Sequence, residues 1–322
     1  MGVPVVRVLF LGGLGRSGTT LLERVLGALP AACPLGEVVH LWARDIRDDE
    51  RCGCGTRFSG CEFWLRVGAA AFGGWDRVDL DRVLHLQRTV ERTRHIPRLA
   101  AARQTPARRA LIEEYASYYT RVYRAAAGVS GASVVIDSSK HSSLAYCLRW
   151  APESELDLRV AHVVRDARGV AYSWTKTVTR PESDGRDEMT RYSPARAALL
   201  WSAHNAAFGL LARRGVAVRR FRYEEFAADP RAATHALASF AGLDLGPSDL
   251  DFLAPGDNEV IAHLPATHSA AGNPMRFRTG PVRVRPDDAW HDELPPGQRR
   301  LVGALTLPLL GAYGYPLTGR RP

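Results

Sequence analysis

The chain has 322 residues, 46% of them hydrophobic and 24% charged, with a formal charge of +9. That length can bury a sizeable core, and the composition excludes a disordered or fibrous chain. No run reaches the roughly 18 apolar residues of a helical membrane span, and the first apolar run lacks a cleavage region, so a cytoplasmic location is expected. The basic residues are spread along the chain rather than gathered in a tail, which favours an anionic small molecule over nucleic acid as partner. Only two cations are lysine, Lys140 and Lys176.

Residues 5–11 form a mostly apolar run rich in β-branched residues that predicts a buried parallel strand, and 19–29 carry leucines and valines at helical spacing. Between them GGLGRSGTT supplies the glycines that let backbone amides turn toward an anion at a helix start. The spacing Gly13-x-x-x-x-Gly18 is that of a nucleotide-triphosphate loop, but Thr19 stands where the phosphate-binding lysine is required. Arg16, with the hydroxyls of Ser17, Thr19 and Thr20, suits a shorter anion with a tetrahedral centre.

Residues 30–39 read as a loop holding Gly36-Glu37. Cys52, Cys54 and Cys61 follow in RCGCGTRFSGCEFW. Reduced structural thiols, a disulfide and a metal site all stay open there, with Cys33 or His40 as the nearby candidates for a fourth ligand. Helices are expected over 80–99 and 106–127, the second with a stripe of Tyr115, Tyr118, Tyr119 and Tyr123 that fits core packing.

A second strand, 133–136, ends in Asp137-Ser138-Ser139-Lys140, and a third, 158–164, runs into Arg165-Asp166 and a helix to 178. Residues 179–192 read as an irregular flap. A helix over 194–213, a strand over 216–221 leading to Tyr223-Glu224, and a helix over 230–241 stopped by Gly242 come next. Beyond 243 the chain is rich in Pro and Gly, apart from a helix near 297–310. Alternating strands and helices predict an α/β fold with a mostly parallel sheet, as one domain over 1–322, with 39–127 as a helical insertion covering the site.

GLGRSGTTLL, VVIDSSK, HVVRDARGVAYSW and FRYEEF together resemble the sulfotransferases that use 3′-phosphoadenosine 5′-phosphosulfate (PAPS), in particular bacterial members and tyrosylprotein sulfotransferases. The resemblance spans 5 to about 290 and implies the family's P-loop-like fold. It implies that Gly15, Arg16, Ser17, Gly18, Thr19 and Thr20 hold the 5′-phosphate and sulfuryl group, and that Arg165 and Ser173 take the 3′-phosphate. Glu37 matches a catalytic base, Lys140 a contact to the sulfuryl and leaving group, and Tyr223 a contact to adenine.

The late loop HSAAGNPMRFRTG offers Arg276 and Arg278 to the 3′-phosphate side. Ser138 and Ser139 are candidates for the sulfuryl oxygens, and His204, Asn205 and His268 for the acceptor pocket. Structural alternatives are a pair of Arg165 with Asp166 or Glu37, and of Glu37 with Arg44. The expected reaction yields 3′-phosphoadenosine 5′-phosphate (PAP) and a sulfated carbohydrate, lipid or specialised metabolite, and its chemistry asks for no metal. The competing enzyme is a P-loop kinase or NTPase acting on a small molecule, with Asp137 as the metal-binding carboxylate. The oligomeric state is not legible.

Overall fold

The first strand forms where expected because VRVLFLG is apolar and β-prone, and it lies mid-sheet with both faces covered. The computed structural model describes residues 5–179, 188–257 and 259–317. β1 (Val6–Gly12) leads through the glycine loop into α1 (Thr19–Leu26), then β2 (Ala32–Pro34). A helical stretch follows: α2 (Glu62–Phe72), α3 (Leu80–Val90), α4 (Ile96–Leu99) and α5 (Pro106–Ser130). β3 (Val134–Lys140), α6 (Ser142–Leu148), β4 (Leu156–Val164), α7 (Ala167–Thr175) and α8 (Pro194–Ala212) come next.

β5 (Ala217–Arg222), α9 (Tyr223–Ala228) and α10 (Pro230–Ala241) close the main sheet's half. The remainder is β6 (Leu253–Gly256), β7 (Glu259–Leu264), β8 (Gly280–Val284), α11 (Trp290–Glu293) and α12 (Pro296–Ala312). No helix of the described residues is long and apolar enough to cross a membrane.

The main sheet is parallel throughout, in the order β2-β3-β1-β4-β5. From β1 the chain first builds toward β3 and then crosses to β4, so the order reverses at β1. Ligands of open α/β sheets bind at such a reversal, beyond the strand C-termini. Gly12 ends β1 there, level with Lys140 of β3 and His162 of β4.

Three features differ from expectation. β2 falls inside the expected loop: only three residues long and ending in proline, it carries no alternation to read, and its pairing with β3 defines it. The Pro- and Gly-rich tail holds a small antiparallel sheet, β6-β7-β8. Its strands bury Leu253, Ala262, Leu264, Val282 and Val284 against α1 and α10, while Pro255 and Pro281 obscure the alternation. The helix expected over 80–99 breaks between α3 and α4, where Pro97 can begin a helix but not continue one.

α5 starts as its sequence predicts, with Thr105 capping the Arg108 N–H and Pro106 in the first turn. It lies against β1, β2 and β3 and buries Tyr115, Tyr119 and Tyr123 completely, so the tyrosine stripe is core. Residues 39–127 therefore supply part of the main core as well as side chains to the cavity described below. Of the expected flap over 179–192, residues 180–187 lie outside the described residues. Its flanks are pinned by Met189 N–H to the Val178 carbonyl and Tyr192 N–H to the Trp174 carbonyl.

Candidate active site

A cavity of about 720 Å³ opens at the C-terminal ends of β1, β3 and β4. Its floor is the glycine loop. The Gly13 N–H donates to the Lys140 carbonyl, and the Trp174 indole donates to the Gly15 carbonyl at 3.0 Å. Arg16 and Gly18 are left-handed, with φ of 75° and 87°. A Cβ on Gly18 would collide with the Tyr223 ring, so glycine is required there both for φ and for space. No side chain caps the start of α1, which leaves its first amides open beside the cavity-lining Thr19 and Thr20.

Arg16 lies over the Trp174 ring at 5.3 Å and donates to the Met189 sulfur at 3.5 Å. Its Nε is buried and has no hydrogen-bond partner among the described residues. A half-buried guanidinium with an unspent, buried donor beside uncapped helix amides is arranged for an anion.

Across the cavity Lys140 ends β3 with φ of 67° and donates to Glu37 Oε1. The loop bearing Glu37 is fixed by backbone bonds: Glu37 N–H to the Ala270 carbonyl at 3.0 Å and Ala270 N–H to the Leu35 carbonyl at 2.7 Å. Gly272 abuts it so closely that a Cβ would stand 2.7 Å from Glu37 Oε1. Burial pushes the Glu37 carboxyl up in pKa, but Lys140, supported by His141, outweighs burial and holds it below the usual range.

Two histidines lie beside this pair, their rings meeting edge to face at 5.6 Å. His40 Nε2 is 3.8 Å from Glu37 Oε2, yet burial takes the imidazole down to about 3, so it is neutral. His141 Nδ1 is 3.6 Å from Glu91 Oε1. Burial pulls His141 down as well, but Glu91 outweighs it and leaves His141 raised. His204 also lines the cavity and is pushed down to about 4 by burial.

At the other end the Arg165 guanidinium donates to the Arg16 carbonyl at 3.2 Å and to Asp287 Oδ2 at 2.9 Å. It sits over the Tyr223 ring at 4.9 Å, and the Trp201 indole fixes its backbone carbonyl. Ser173 lines the same end. Burial pushes Asp287 up in pKa, but Arg165 outweighs it and leaves Asp287 lowered.

The fold thus gathers Gly15, Arg16, Gly18, Thr19, Thr20, Glu37, Lys140, Arg165, Ser173, Tyr223 and His204 around one space. Ser17 is buried outside the lining, its N–H bonded to the Leu14 carbonyl. Arg276 and Arg278 do not line the cavity; Arg276 is buried and donates to the Ser269 carbonyl, while Gly272, Asn273 and Met275 of that loop reach the space. Asn205 bridges His162 and the Trp201 carbonyl inside the core. His268 stacks on Phe63 beside the cysteine segment. Ser138 donates to Glu23, and Ser139 accepts from the Val39 N–H, so both serve the scaffold.

Asp137 is fully buried and outside the cavity; it accepts from Tyr123 and from the Ser139 N–H, and burial raises it to about 7. A carboxylate so engaged cannot hold a nucleotide's metal, which removes the main support for the kinase reading. Arg44 pairs with Glu50 rather than Glu37, and Arg165 with Asp287 rather than Asp166 or Glu37. Sequence reasoning missed Glu91, His141 and Asp287, and it set His40 and Cys33 beside the cysteine segment, whereas His40 lies next to Glu37 in the cavity and the group gathered with Cys52, Cys54 and Cys61 is His268. The one local signal was His141 directly following the singled-out Lys140.

Among solved structures, the sulfotransferase domain of the Synechococcus PCC 7002 olefin synthase is similar over 98% of this chain and 97% of its own, at 20% identity and a TM-score of 0.53. The sulfotransferase domain of the curacin biosynthetic pathway follows at 15% identity and a TM-score of 0.49, covering 97% of this chain and 98% of its own. Sulfotransferase STF1 of Mycobacterium tuberculosis H37Rv matches 77% of this chain and 71% of its own, at 17% identity and a TM-score of 0.42. No curated protein matches. The family model described as "Sulfotransferase family" matches residues 9–247, which take in the glycine loop, Glu37, Lys140, Arg165 and Tyr223, and on that match the chain belongs to the sulfotransferase family.

Proposed function

We propose that the protein transfers a sulfuryl group from PAPS to a hydroxyl of a small molecule or glycan. The observation that carries this reading is the Lys140–Glu37 pair facing the uncapped start of α1 across a single cavity. In this reading the amides of 15, 16 and 18–20, with the side chains of Arg16, Thr19 and Thr20, take the 5′-phosphate and sulfuryl oxygens. Tyr223 borders the adenine, and Arg165 with Ser173 takes the 3′-phosphate, whose oxygens replace the Asp287 carboxylate at the guanidinium.

The acceptor oxygen attacks sulfur in line as the bond from sulfur to the 5′-phosphate oxygen breaks, and that oxygen keeps the electron pair. The acceptor proton passes to Glu37. Arg16 and Lys140 meet the charge that collects on the departing oxygen. As Lys140 turns to that oxygen, Glu37 loses the partner that holds its pKa down, and burial then makes it a stronger base. Nucleotide binding and base activation are coupled through one ammonium group.

His40, Arg44, Thr93, His141 and His204 border the acceptor end, so the segment 39–127 helps to shape it. The test is radiolabelled sulfuryl donor offered with carbohydrate, glycolipid and phenolic acceptors, alongside thermal unfolding with PAP and with ATP. The expected result is a labelled product and a larger stabilisation by PAP. Equal stabilisation by ATP, together with magnesium-dependent ATP cleavage, would refute the reading.

A further inference from the structure

Outside the cavity, the sulfurs of Cys52, Cys54 and Cys61 and a ring nitrogen of His268 lie within 4.8 Å of one another. Cys61 Sγ is 3.6 Å from Cys52 Sγ, 3.8 Å from Cys54 Sγ and 3.2 Å from His268 Nδ1; Cys52 Sγ to His268 Nδ1 is 3.9 Å. In a tetrahedron with metal–sulfur bonds of about 2.3 Å, neighbouring sulfurs stand about 3.8 Å apart, and a sulfur and an imidazole nitrogen about 3.5 Å. The observed edges match that figure. A disulfide would use two of the sulfurs and leave the third and the imidazole without a role.

The donors are also held in place. Gly55, with φ of 91°, turns the Cys52–Cys54 segment back so that its N–H bonds to the Cys52 carbonyl. The Trp64 indole donates to the His268 carbonyl at 2.7 Å, and Phe63 stacks on the imidazole at 5.0 Å. The Gly53 N–H donates to the Ser269 carbonyl. Cys52 and Cys61 are almost wholly buried.

We propose that Cys52, Cys54, Cys61 and His268 bind one Zn²⁺ in a closed structural site. Three thiolates and an imidazole in tetrahedral array are a zinc donor set, and a full set of four protein ligands leaves no open position for chemistry. The ion ties the knuckle of residues 52–61 to the loop of residues 267–272. That loop is the one whose Ala270 backbone pairs with Leu35 and Glu37. Zinc therefore fastens the support under Glu37 from outside the reaction space, and the proposal does not depend on which donor or acceptor the cavity takes.

The test is metal analysis of the full chain purified from zinc-supplemented cells without chelator, with Co²⁺ added to the reduced, metal-free protein. On the order of one zinc per chain is expected, and Co²⁺ should give the visible ligand-field bands and near-ultraviolet sulfur charge transfer of a tetrahedral thiolate site, both erased by Zn²⁺. Cys54→Ser, at the least buried of the three cysteines, should weaken metal binding at least ~10-fold, whereas Cys33→Ser should leave it unchanged. A folded wild-type chain with under ~0.1 equivalent of zinc and no Co²⁺ spectrum would overturn the site. So would a native disulfide between two of the three cysteines. If the ligand variants do not fold, the wild-type metal content and Co²⁺ spectrum decide the question alone.

Discussion

Lys140→Met tests the proposed coupling most directly, because methionine keeps most of the volume and removes the charge. Lys140 is only 9% exposed and its ammonium touches the Glu37 carboxylate. Two unit charges at about 4 Å in an effective dielectric of about 20 interact by about 4 kcal/mol, which sets the ceiling for what the ammonium contributes to a developing oxyanion. Removal of one such donor slows reactions by about 10²–10³, and we expect turnover to fall by that factor.

The pH dependence carries the sharper result. Burial favours the protonated Glu37 carboxyl, and Lys140 is the strongest of the groups opposing it. Without the lysine the strongest opponent of burial is gone and the Arg16 guanidinium and His141 remain, so the Glu37 pKa rises and the acid limb of the rate profile moves to higher pH. In the wild type the lowered pKa contributes stability above the unfolded value, lost as pH falls through the folded one. The variant should therefore be destabilised more at about pH 8 than at about pH 5. Single-turnover transfer at saturating donor, with unfolding at both pH values, measures the two effects. A rate within about threefold of wild type, or an acid limb that stays in place, would refute the reasoning.

Arg165→Ala should reduce stabilisation by PAP to the level given by a nucleotide without the 3′-phosphate, while Asp287→Asn, which frees the guanidinium of its competitor, should tighten PAP binding about two- to tenfold by calorimetry. Weaker binding by the Asn variant would mean that Asp287 positions Arg165 rather than competes for it. Gly18→Ala puts a methyl into the Tyr223 ring at φ of 87° and should lower stability by about 2 kcal/mol or more and abolish nucleotide binding; a variant that binds normally would show that the loop can reshape. Asp137, raised to about 7 by burial, is protonated in the folded chain at acid pH, so its unfavourable ionisation lowers stability as pH climbs toward 7. Asp137→Asn should remove about 1–3 kcal/mol of that decline in urea unfolding between about pH 5 and 8, and an unchanged slope would count against it.

The strands and helices around the sheet were legible because each is a local pattern: VRVLFLG is apolar apart from Arg7, and Gly242 stops the helix over 230–241. The glycine loop that brings Arg16 and Thr19 to the cavity was legible for the same reason, since strand, glycines and helix are contiguous in the chain. β2 was hidden because three residues have no period, and its strand character comes from β3. Glu91 and His141 lie 50 residues apart, and Cys61 and His268 are 207 apart. Nothing in either segment announces its partner, and only the packing of α3, α6 and the late loop brings the groups together. Arg276 misled because an arginine near a nucleotide loop suggests phosphate, whereas here it bonds to the Ser269 carbonyl in the interior.

Arg165 holds the peptide carbonyl of Arg16 with one nitrogen and Asp287 with the other. With the proposed donor in place, that single side chain would straddle the span between the two ends of an elongated ligand. A shortened donor, lacking the distal anion, would leave Asp287 on the guanidinium and the Arg16 peptide under an altered pull. Its handicap should show in the speed of each turnover even when every molecule of protein is occupied, so that length is sensed by the reacting end and not merely by grip.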